Sequence, residues 1–293
     1  MSASFSAPAG SPERGLGSGL TRVEVKPNLY LVVGSGANTA FLVTDAGVVV
    51  VGAKESEQAG RELREVIAGV TNKPVRYLIH PNHQARYTHG STIFPRAAPI
   101  VAHERARRHM LEPPEAEYWT GLAAPSLPDI AVSDHVTLYL GGARVQVIHP
   151  GRGHTDGDLI VLFPDQHTVH MGDLFWNRRL PFIDRRHGGS ATALVSTLQR
   201  VLALPGVETF IPGYGDVGAR ADVQKQVALL RDLQAQVRRA IAQHHTRSQT
   251  IESIPIPTYA RSDPAERFTA LIGAIYDDVT PTRTPSFTPA RAR

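Results

Sequence analysis

The sequence contains no cysteine, only four lysines and no long uninterrupted hydrophobic run. Without cysteine, disulfide bonds, thiolate metal ligands and a cysteine nucleophile are excluded. No run approaches the roughly 20 apolar residues that a membrane helix needs, so we expect no membrane segment. The first 20 residues lack the basic and apolar regions of a signal peptide, which predicts a cytoplasmic protein.

Positive charge comes almost entirely from arginine, with 27 arginines against four lysines and a formal net charge of +4. The arginines form two short clusters, at 105–108 and 178–186. Such clusters are typical of a solvated face or of carboxylate pairing, and no basic stripe or nucleic-acid-reading motif accompanies them. We therefore expect a small-molecule substrate and no nucleic-acid partner.

The order of the predicted elements indicates the fold class. Hydrophobic residues make up 42% of the 293 residues, enough for a sizeable core. Strands are predicted at 28–33, 39–43, 48–51, 75–79, 100–102, 136–140, 144–148, 159–163, 168–171 and 208–211. Helices are predicted at 55–70, 104–110, 191–204, 219–245 and 264–279. Two mixed β-sheets packed face to face with helices outside, an α+β fold of αββα four-layer type, would satisfy this order.

The two ends of the chain differ in composition from the middle. Small, polar and proline residues dominate 1–20 and 280–293, which we predict to be disordered tails. The segment 21–279 between them is predicted to form a single domain. The predicted helix at 219–245 carries an apolar stripe at helical spacing. Either it packs onto the sandwich, or it forms a homodimer contact.

Four segments carry a specific likeness to a known family. They are 153–158 (Gly-His-Thr-Asp-Gly-Asp), 170–175 (His-Met-Gly-Asp-Leu-Phe), 188–190 (Gly-Gly-Ser) and 211–215 (Ile-Pro-Gly-Tyr-Gly). Their order and spacing resemble the second half of metallo-β-lactamase-superfamily hydrolases, and the early strands resemble the first half. The resemblance implies an active site on loops along one sheet edge. There, His and Asp side chains would hold two metal ions whose bridging hydroxide attacks an ester, amide, thioester or phosphodiester.

The sequence departs from the family at the first ligand motif, His-x-His-x-Asp-His. Aligned without a gap on the strand at 75–79, the two histidine positions are Asn82 and Gln84. Arg86 stands at the aspartate position and Tyr87 at the final histidine position. Neutral amides bind divalent metals weakly, and a guanidinium repels them. For a doubly charged ion about 4 Å away, this repulsion is roughly 8 kcal/mol at an effective dielectric constant near 20.

Two other positions keep the family's ligands. His154 and Asp173 match, whereas Tyr214 stands where the last histidine would be. Gly52 also replaces the aspartate that usually follows the third strand. Five of the seven metal-ligand positions are therefore changed, and two good ligands are too few for zinc. We expect no cofactor.

Nearby histidines keep a metal-dependent alternative open. They lie in the altered loop or beside the retained pair: His80, His83, His89, His149 and His170. If zinc were bound, we would expect a shifted mononuclear hydrolase site that joins His154 and Asp173 to His80 and His83.

The favoured interpretation is a metal-independent enzyme. Arg86 would replace the positive charge of the metal and pair with Asp173 through two hydrogen bonds. Tyr87 and Tyr214 would donate to a developing oxyanion or act as general acids. His154 would be the general base, because its ordinary pKa lies near neutrality. Such a set suits hydrolysis, elimination or cyclisation of a polar small molecule.

Four further residues are candidates for substrate binding: Asn82, Gln84, Trp176 and Arg178. Specificity in the family lies in loops that correspond to 112–130 and 175–187. The second loop mixes aromatic and arginine side chains, which suits an organic acid or equally a packed core with a solvated rim. The remaining alternative is a non-catalytic binding or scaffold protein that kept the fold and lost the chemistry.

Overall fold

The computed structural model describes residues 13–14, 19–113, 116, 119, 124–257 and 263–280. The first sheet contains β1 (Glu13–Arg14), β2 (Thr21–Lys26), β3 (Leu29–Val33), β4 (Thr39–Thr44), β5 (Gly47–Val51), β6 (Val75–Ile79), β7 (Ile100–His103) and β8 (Ile130–Val132). The second contains β9 (His135–Leu140), β10 (Ala143–Ile148), β11 (Ile160–Phe163), β12 (Thr168–His170), β13 (Thr209–Ile211) and β14 (Gly218–Ala219). The helices are α1 (Glu57–Ala68), α2 (Ala85–Thr88), α3 (Glu104–Met110), α4 (Ala191–Leu202), α5 (Arg220–Ala242), α6 (Arg247–Ser253) and α7 (Ala265–Val279).

Both sheets are mixed. In the first sheet, strands follow chain order, with antiparallel pairs from β1 to β5 and parallel pairs from β5 to β8. The second sheet is antiparallel except for the parallel pair β12–β13. A Gly141-Gly142 turn joins β9 to β10, and both glycines have positive φ, 52° and 81°. Left-handed φ at both central residues is what a tight hairpin turn requires.

The side chains of β5 alternate between two cores, which positions this strand between the layers. Val49 and Val51 belong to the core between the two sheets, together with Val145 and Val161 of the second sheet. Val48 and Val50 face the other way and pack against α1. The outer face of the second sheet packs against α4, α5 and α7. The predicted αββα sandwich is therefore confirmed.

The structure also decides between the two interpretations of the long apolar stripe. Five of its residues, all buried within the chain, join the core beneath the second sheet: Val223, Val227, Leu230, Leu233 and Val237. Packing onto the sandwich is thus confirmed. Among the described residues, no helix combines the length and apolar composition needed to cross a bilayer.

Some elements were missed by the sequence pattern. β2 alternates valine with charged residues and is mostly half-exposed, so its hydrophobic signal is weak. α6 is short and polar, although the capping box of Thr246 and Gln249 at its start is a readable signal. β1 lies inside the predicted N-terminal tail and pairs with β2. The rest of that tail up to residue 18, and the C-terminal tail from 281, lie outside the described residues.

Candidate functional site

The predicted site residues lie on loops at one edge of the sandwich. The loop 80–84 follows β6, the segment 171–177 follows β12, and Gly213 follows β13. The backbone N–H of Asn38 in the first sheet donates to the carbonyl of Gly213 (2.8 Å), which joins the two sheets at this edge. Because these strand ends are neighbours, their side chains converge.

Asp173 lies where these loops meet, and its side chain is fully buried. Its Oδ2 accepts a hydrogen bond from the amide of Asn82 (3.0 Å). Asn82 Oδ1 in turn accepts from the backbone N–H of Gln84 (3.0 Å), which fixes the orientation of the amide. Arg86 Nε and His154 Nε2 each lie 3.9 Å from the same carboxylate oxygen.

The predicted pairing of Arg86 with Asp173 is present, but without two hydrogen bonds. A single guanidinium nitrogen approaches the carboxylate at ion-pair distance, and another nitrogen bonds the side-chain oxygen of Gln84. Burial lowers the pKa of Arg86, whereas the charge of Asp173 and the neighbouring tyrosines raise it, with a net shift upward. Arg86 therefore stays charged.

His154 is held by an aspartate that sequence reasoning did not assign to the site. Its Nδ1 lies 3.1 Å from Oδ1 of Asp158. Asp158 is fixed by the N–H and hydroxyl of Thr155 (2.7 and 2.8 Å). Burial lowers the pKa of His154, but Asp173 and then Asp158 raise it by more, so the net shift is upward. The signal for Asp158 was its position four residues after His154.

Three buried polar atoms at this centre have no hydrogen-bond partner among the described residues. They are His154 Nε2, Asp173 Oδ1 and the hydroxyl of Tyr87. A Cβ built on Gly213 would lie 2.7 Å from the Tyr87 hydroxyl and 2.9 Å from Asp173 Oδ1, so both atoms border this glycine. Burial raises the pKa of Tyr87 well above its ordinary value, and its phenol stays neutral.

Aromatic rings surround Arg86. The guanidinium carbon lies 5.8 Å from the ring centre of Tyr214 and 5.9 Å from those of Trp176 and Phe182. Tyr214 also packs on Trp176, with ring centres 4.2 Å apart. Burial raises the pKa of Tyr214, so its phenol is a donor at neutral pH. Rings at this distance stabilise a cation.

A cavity of about 610 Å³ opens beside this centre. Its lining consists of Glu55, His83, Gln84, Ala85, Arg86, Phe182, Asp184, His187 and Tyr214. Neither His154 nor Asp173 belongs to that lining. Arg86 and Phe182 contact both regions, since Phe182 lies 5.8 Å from the ring of His154. They therefore lie between the cavity and the buried pair.

The predicted substrate-binding residues separate into three environments. Gln84 lines the cavity, whereas Asn82 is fully buried against Asp173. Arg178 does not line this cavity. With Trp176, it borders a second one of about 340 Å³ near α5. Arg178 has a left-handed backbone conformation, with φ of 58°. Its side chain borders the second cavity rather than the first, which the sequence did not predict.

The shifted zinc site is not assembled in the described part of the chain. No group of three ligand atoms within 4.8 Å of one another joins His80 or His83 to the His154–Asp173 pair. His80 bonds the hydroxyl of Ser91 (3.0 Å), and burial lowers its pKa to about 3. His83 turns instead towards Asp184.

The remaining three histidines of this alternative are also engaged elsewhere. His89 lies edge-on to Trp119. His149 bonds the carbonyl of Asp158 (2.8 Å). His170 accepts from the N–H of Gly172 and lies 3.2 Å from the carbonyl of Asn38.

The layered fold and the polar centre at one sheet edge define a four-layer αββα protein of hydrolase-like type. The family model of the metallo-beta-lactamase superfamily matches residues 32–213, more than half of the chain. The chain belongs to this superfamily, as the sequence motifs predicted.

Two curated relatives and one solved structure illustrate the likeness. Identity is 27% over 93 residues to a metallo-beta-lactamase type 2 of Bacteroides fragilis, covering 31% of this chain and 37% of the relative. It is 24% over 162 residues to 2,4-dinitroanisole O-demethylase subunit alpha of Nocardioides sp. (strain JS1661), covering 53% and 46%. The chain thus spans less than half the length of these relatives. A metallo-beta-lactamase from Pontibacter korlensis shares the fold, with TM-score 0.63, 17% identity, and coverage of 72% of this chain and 99% of that one.

Proteins of this superfamily usually bind zinc, so the question is whether the residues around Asp173 offer enough ligand atoms for two metal ions. Oδ2 of Asp173 already accepts a hydrogen bond from the Asn82 amide and faces the Arg86 guanidinium. Both groups present N–H donors rather than electron pairs, and the guanidinium repels cations. The remaining ligands, His154 and the second oxygen of Asp173, are too few. These residues do not fit two divalent ions.

Proposed function

We propose that this protein is an enzyme that performs acid–base chemistry on an anionic or polar small molecule without a two-metal centre. The observation that carries the proposal is the Asp158–His154 pair, in which Nδ1 faces a carboxylate and the buried Nε2 has no hydrogen-bond partner among the described residues. Hydrolysis, elimination and cyclisation all need such a proton acceptor.

The chemistry of His154 follows from its surroundings. Asp158 accepts a hydrogen bond from Nδ1–H, which leaves the lone pair of Nε2 as the base. Asp173, 3.9 Å from Nε2, stabilises the imidazolium that forms when a proton is taken up. The upward shift of the pKa of His154 makes it a stronger base than a free imidazole.

Arg86 and Tyr214 would bind the substrate. Both line the cavity, so a carboxylate, phosphate or sulfate group there meets a permanent positive charge and a neutral phenol donor. Oxygen that becomes negative during the reaction would be stabilised by the same groups. The two curated relatives are a lactamase and an O-demethylase subunit by name, which supports a small organic substrate.

Proton transfer to His154 requires a rearrangement. Arg86 and Phe182 lie between the cavity and the buried pair, so at least one of these side chains must move when substrate binds. An anionic substrate supplies the force for this, because it competes with Asp173 for the guanidinium. The proposal therefore specifically favours anionic substrates over neutral ones.

The test combines activity with chelation. Untagged protein is assayed with a panel of carboxylate-bearing nitrophenyl esters, sulfate esters and lactones, before and after treatment with a strong chelator. We expect unchanged turnover after chelation and a loss of about 100-fold or more in His154→Gln, the range that general base catalysis contributes. His135→Gln, at an exposed histidine, is the control and should be fully active. Turnover that disappears on chelation and returns with zinc contradicts the proposal.

A second candidate function is a non-catalytic binding protein. It is favoured by the complete burial of His154 and Asp173, which is also what a structural ion-pair network would look like. In that case no member of the panel is turned over, and anionic ligands bind wild type and His154→Gln equally well. Arg86→Met would still weaken this binding, since Arg86 lines the cavity.

Three further predictions accompany the proposed function. The folded domain is predicted to span 21–279, the location is predicted to be cytoplasmic, and a homodimer stays an option that size-exclusion chromatography with light scattering can check.

A further inference from the structure

A second polar cluster lies beside the acid–base centre and contributes to the lining of the 610 Å³ cavity. It combines three imidazoles from separate parts of the chain: His83 after β6, His109 in α3 and His187 before α4. Their ring centres are 4.3, 4.8 and 5.1 Å apart, and all three side chains are buried. Asp184 completes the cluster, with Oδ2 at 2.7 Å from His187 Nδ1 and 3.8 Å from His83 Nε2.

The nitrogens of this cluster are not all satisfied by the protein. His83 Nδ1 and His187 Nε2 are buried and have no hydrogen-bond partner among the described residues. Buried polar atoms in folded proteins are nearly always paired, so two such atoms in one cluster point to a ligand. His109 differs, because its nitrogens lie 2.7 Å from Asp156 and 3.3 Å from Glu112.

We propose that His83, Asp184 and His187 bind one divalent transition-metal ion of the Zn²⁺ or Co²⁺ type. One donor atom of each residue lies within 4.8 Å of the donors of the other two. Two imidazole nitrogens and one carboxylate oxygen are a set that zinc accepts, with bonds of about 2.0–2.2 Å. The other nitrogen of each ring, His187 Nδ1 and His83 Nε2, faces Asp184, so binding through the unpaired nitrogens requires both imidazoles to rotate. Neither ring is anchored through both nitrogens.

Neighbouring groups support this assignment. Gln84 donates from Nε2 to Asp184 Oδ2 (2.9 Å), which orients the carboxylate in the way that outer hydrogen bonds orient metal ligands. Asp184 is also anchored through its backbone N–H, which donates to the carbonyl of His154 (2.8 Å). His83, Asp184 and His187 all line the cavity, so the fourth coordination position faces it. A water molecule would fill that position.

The proposed ion is separate from the acid–base set. Its three ligands are distinct from His154, Asp173, Arg86 and Tyr214. The metal site therefore does not depend on the proposed function. A purely structural explanation is that Asp184 only accepts hydrogen bonds from His187 and Gln84. The two explanations differ in whether the cluster binds metal with one-to-one stoichiometry.

The experiment is a metal titration of untagged, chelator-stripped protein. Cobalt(II) is added while visible absorption is recorded, and zinc binding is measured by calorimetry. We expect one ion per chain and the intense visible bands of four-coordinate cobalt. His83→Gln and His187→Gln should each weaken zinc binding by about 100-fold or more, since even residues that only support a ligand account for 10–100-fold.

Matched variants locate the ion. His154→Gln and Asp173→Asn alter the buried pair and should leave the affinity unchanged, as should the exposed His135→Gln. Circular dichroism checks folding, and Asp184→Asn, which conserves side-chain volume, provides the test if a histidine variant fails to fold. The proposal is overturned if stripped wild type takes up no stoichiometric ion. It is equally overturned if binding survives in the cluster variants or is lost in His154→Gln instead.

Discussion

Tyr87 and Gly52 are in direct contact, and each position depends on the other. A Cβ built on Gly52 would lie 2.8 Å from Cδ1 of the Tyr87 ring, closer than such atoms approach in proteins. Gly52 also has φ of 80°, where side chains are strained. Both positions depart from the residues that the resemblance to the family implies. The contact gives a physical reason for the joint change, because the large phenol ring occupies the space of a side chain at residue 52.

Gly52→Ala should therefore lose more stability than left-handed backbone strain alone explains. We expect about 2–5 kcal/mol, the sum of roughly 1–2 kcal/mol for the backbone and about 1–3 kcal/mol for overpacking. The matched control is Gly142→Ala, which has φ of 81° but no atom within 4 Å of the added carbon. It should lose only the backbone contribution. Urea unfolding of both variants measures the difference, and equal losses would contradict the contact.

Tyr87→Phe is predicted to be neutral or stabilising by up to about 1 kcal/mol. The hydroxyl of Tyr87 is buried and has no hydrogen-bond partner among the described residues, and an unpaired buried hydroxyl is unfavourable. Tyr139→Phe, at a tyrosine that is 76% exposed, is the control and should change little. Thermal or urea unfolding tests this directly. A loss of about 1 kcal/mol or more, which is roughly the net contribution of one hydrogen bond, would mean that the hydroxyl has a partner.

Arg86→Met should destabilise the protein by about 2–3 kcal/mol. Asp173 would remain fully buried without the guanidinium, and breaking a buried ion pair costs about 3–5 kcal/mol when both partners are enclosed. Arg86 is 21% exposed, so we expect a smaller loss. Arg86→Lys keeps the charge and should lose less, although lysine cannot reproduce the planar geometry. If Arg86→Met unfolds at the wild-type urea concentration, the pair contributes nothing to stability.

Lys54 predicts a pH dependence of stability. Its side chain is fully buried, and Nζ donates to the carbonyls of Val32, Gly34 and Ala37 at 2.7–3.0 Å. Burial lowers its pKa from 10.5 to about 7, partly opposed by the charge of Glu55. Between about pH 7 and pH 10.5, Lys54 binds a proton in the unfolded chain but has lost it in the folded one. Stability therefore rises as pH increases from about 7 to 10, and this contribution is flat below pH 7, where both states are protonated.

The slope should reach up to about 1.4 kcal/mol per pH unit. Urea unfolding from pH 6 to 10 measures it, and Lys54→Met should abolish it, apart from an overall loss caused by three carbonyls left without their donor. Lys73→Met, at a lysine with a 38% exposed side chain, should keep the slope. Parallel pH profiles of wild type and Lys54→Met would refute the prediction.

The residue types of the central site could largely be predicted from the sequence, whereas the burial that separates His154 from the cavity could not. Arg86, Asn82 and His154 meet at Asp173 because the loops that carry them come together at one edge of the sandwich, as the family's motif positions implied. The burial of His154 behind Phe182 depends on how the loop 175–187 folds back. No periodic pattern specifies that path, since loop residues have no repeating face.

His83 is a second residue whose neighbours could not be predicted from the sequence. Sequence reasoning placed it with His154 because both belong to loops at one edge. In the structure it lies instead against His187 and Asp184, 100 or more residues further along the chain. The choice is made by the direction in which one side chain leaves a short loop, since Asn82 lies against Asp173 whereas the next residue, His83, lies against Asp184 and His187.

The sequence by itself determined the layers, through the continuous valine run of β5, which is typical of a strand buried on both faces, and through the glycine turn after β9. It also determined the chemical types at the family's ligand positions, including a cation where a carboxylate is usual. Only the tertiary structure decided which atoms face each other: the pairing of Asp158 with His154, the separation of Arg178 from the site, and the cluster around Asp184. Local propensity acts over a few residues, whereas the partner of a loop side chain is set by contacts between segments far apart in the chain.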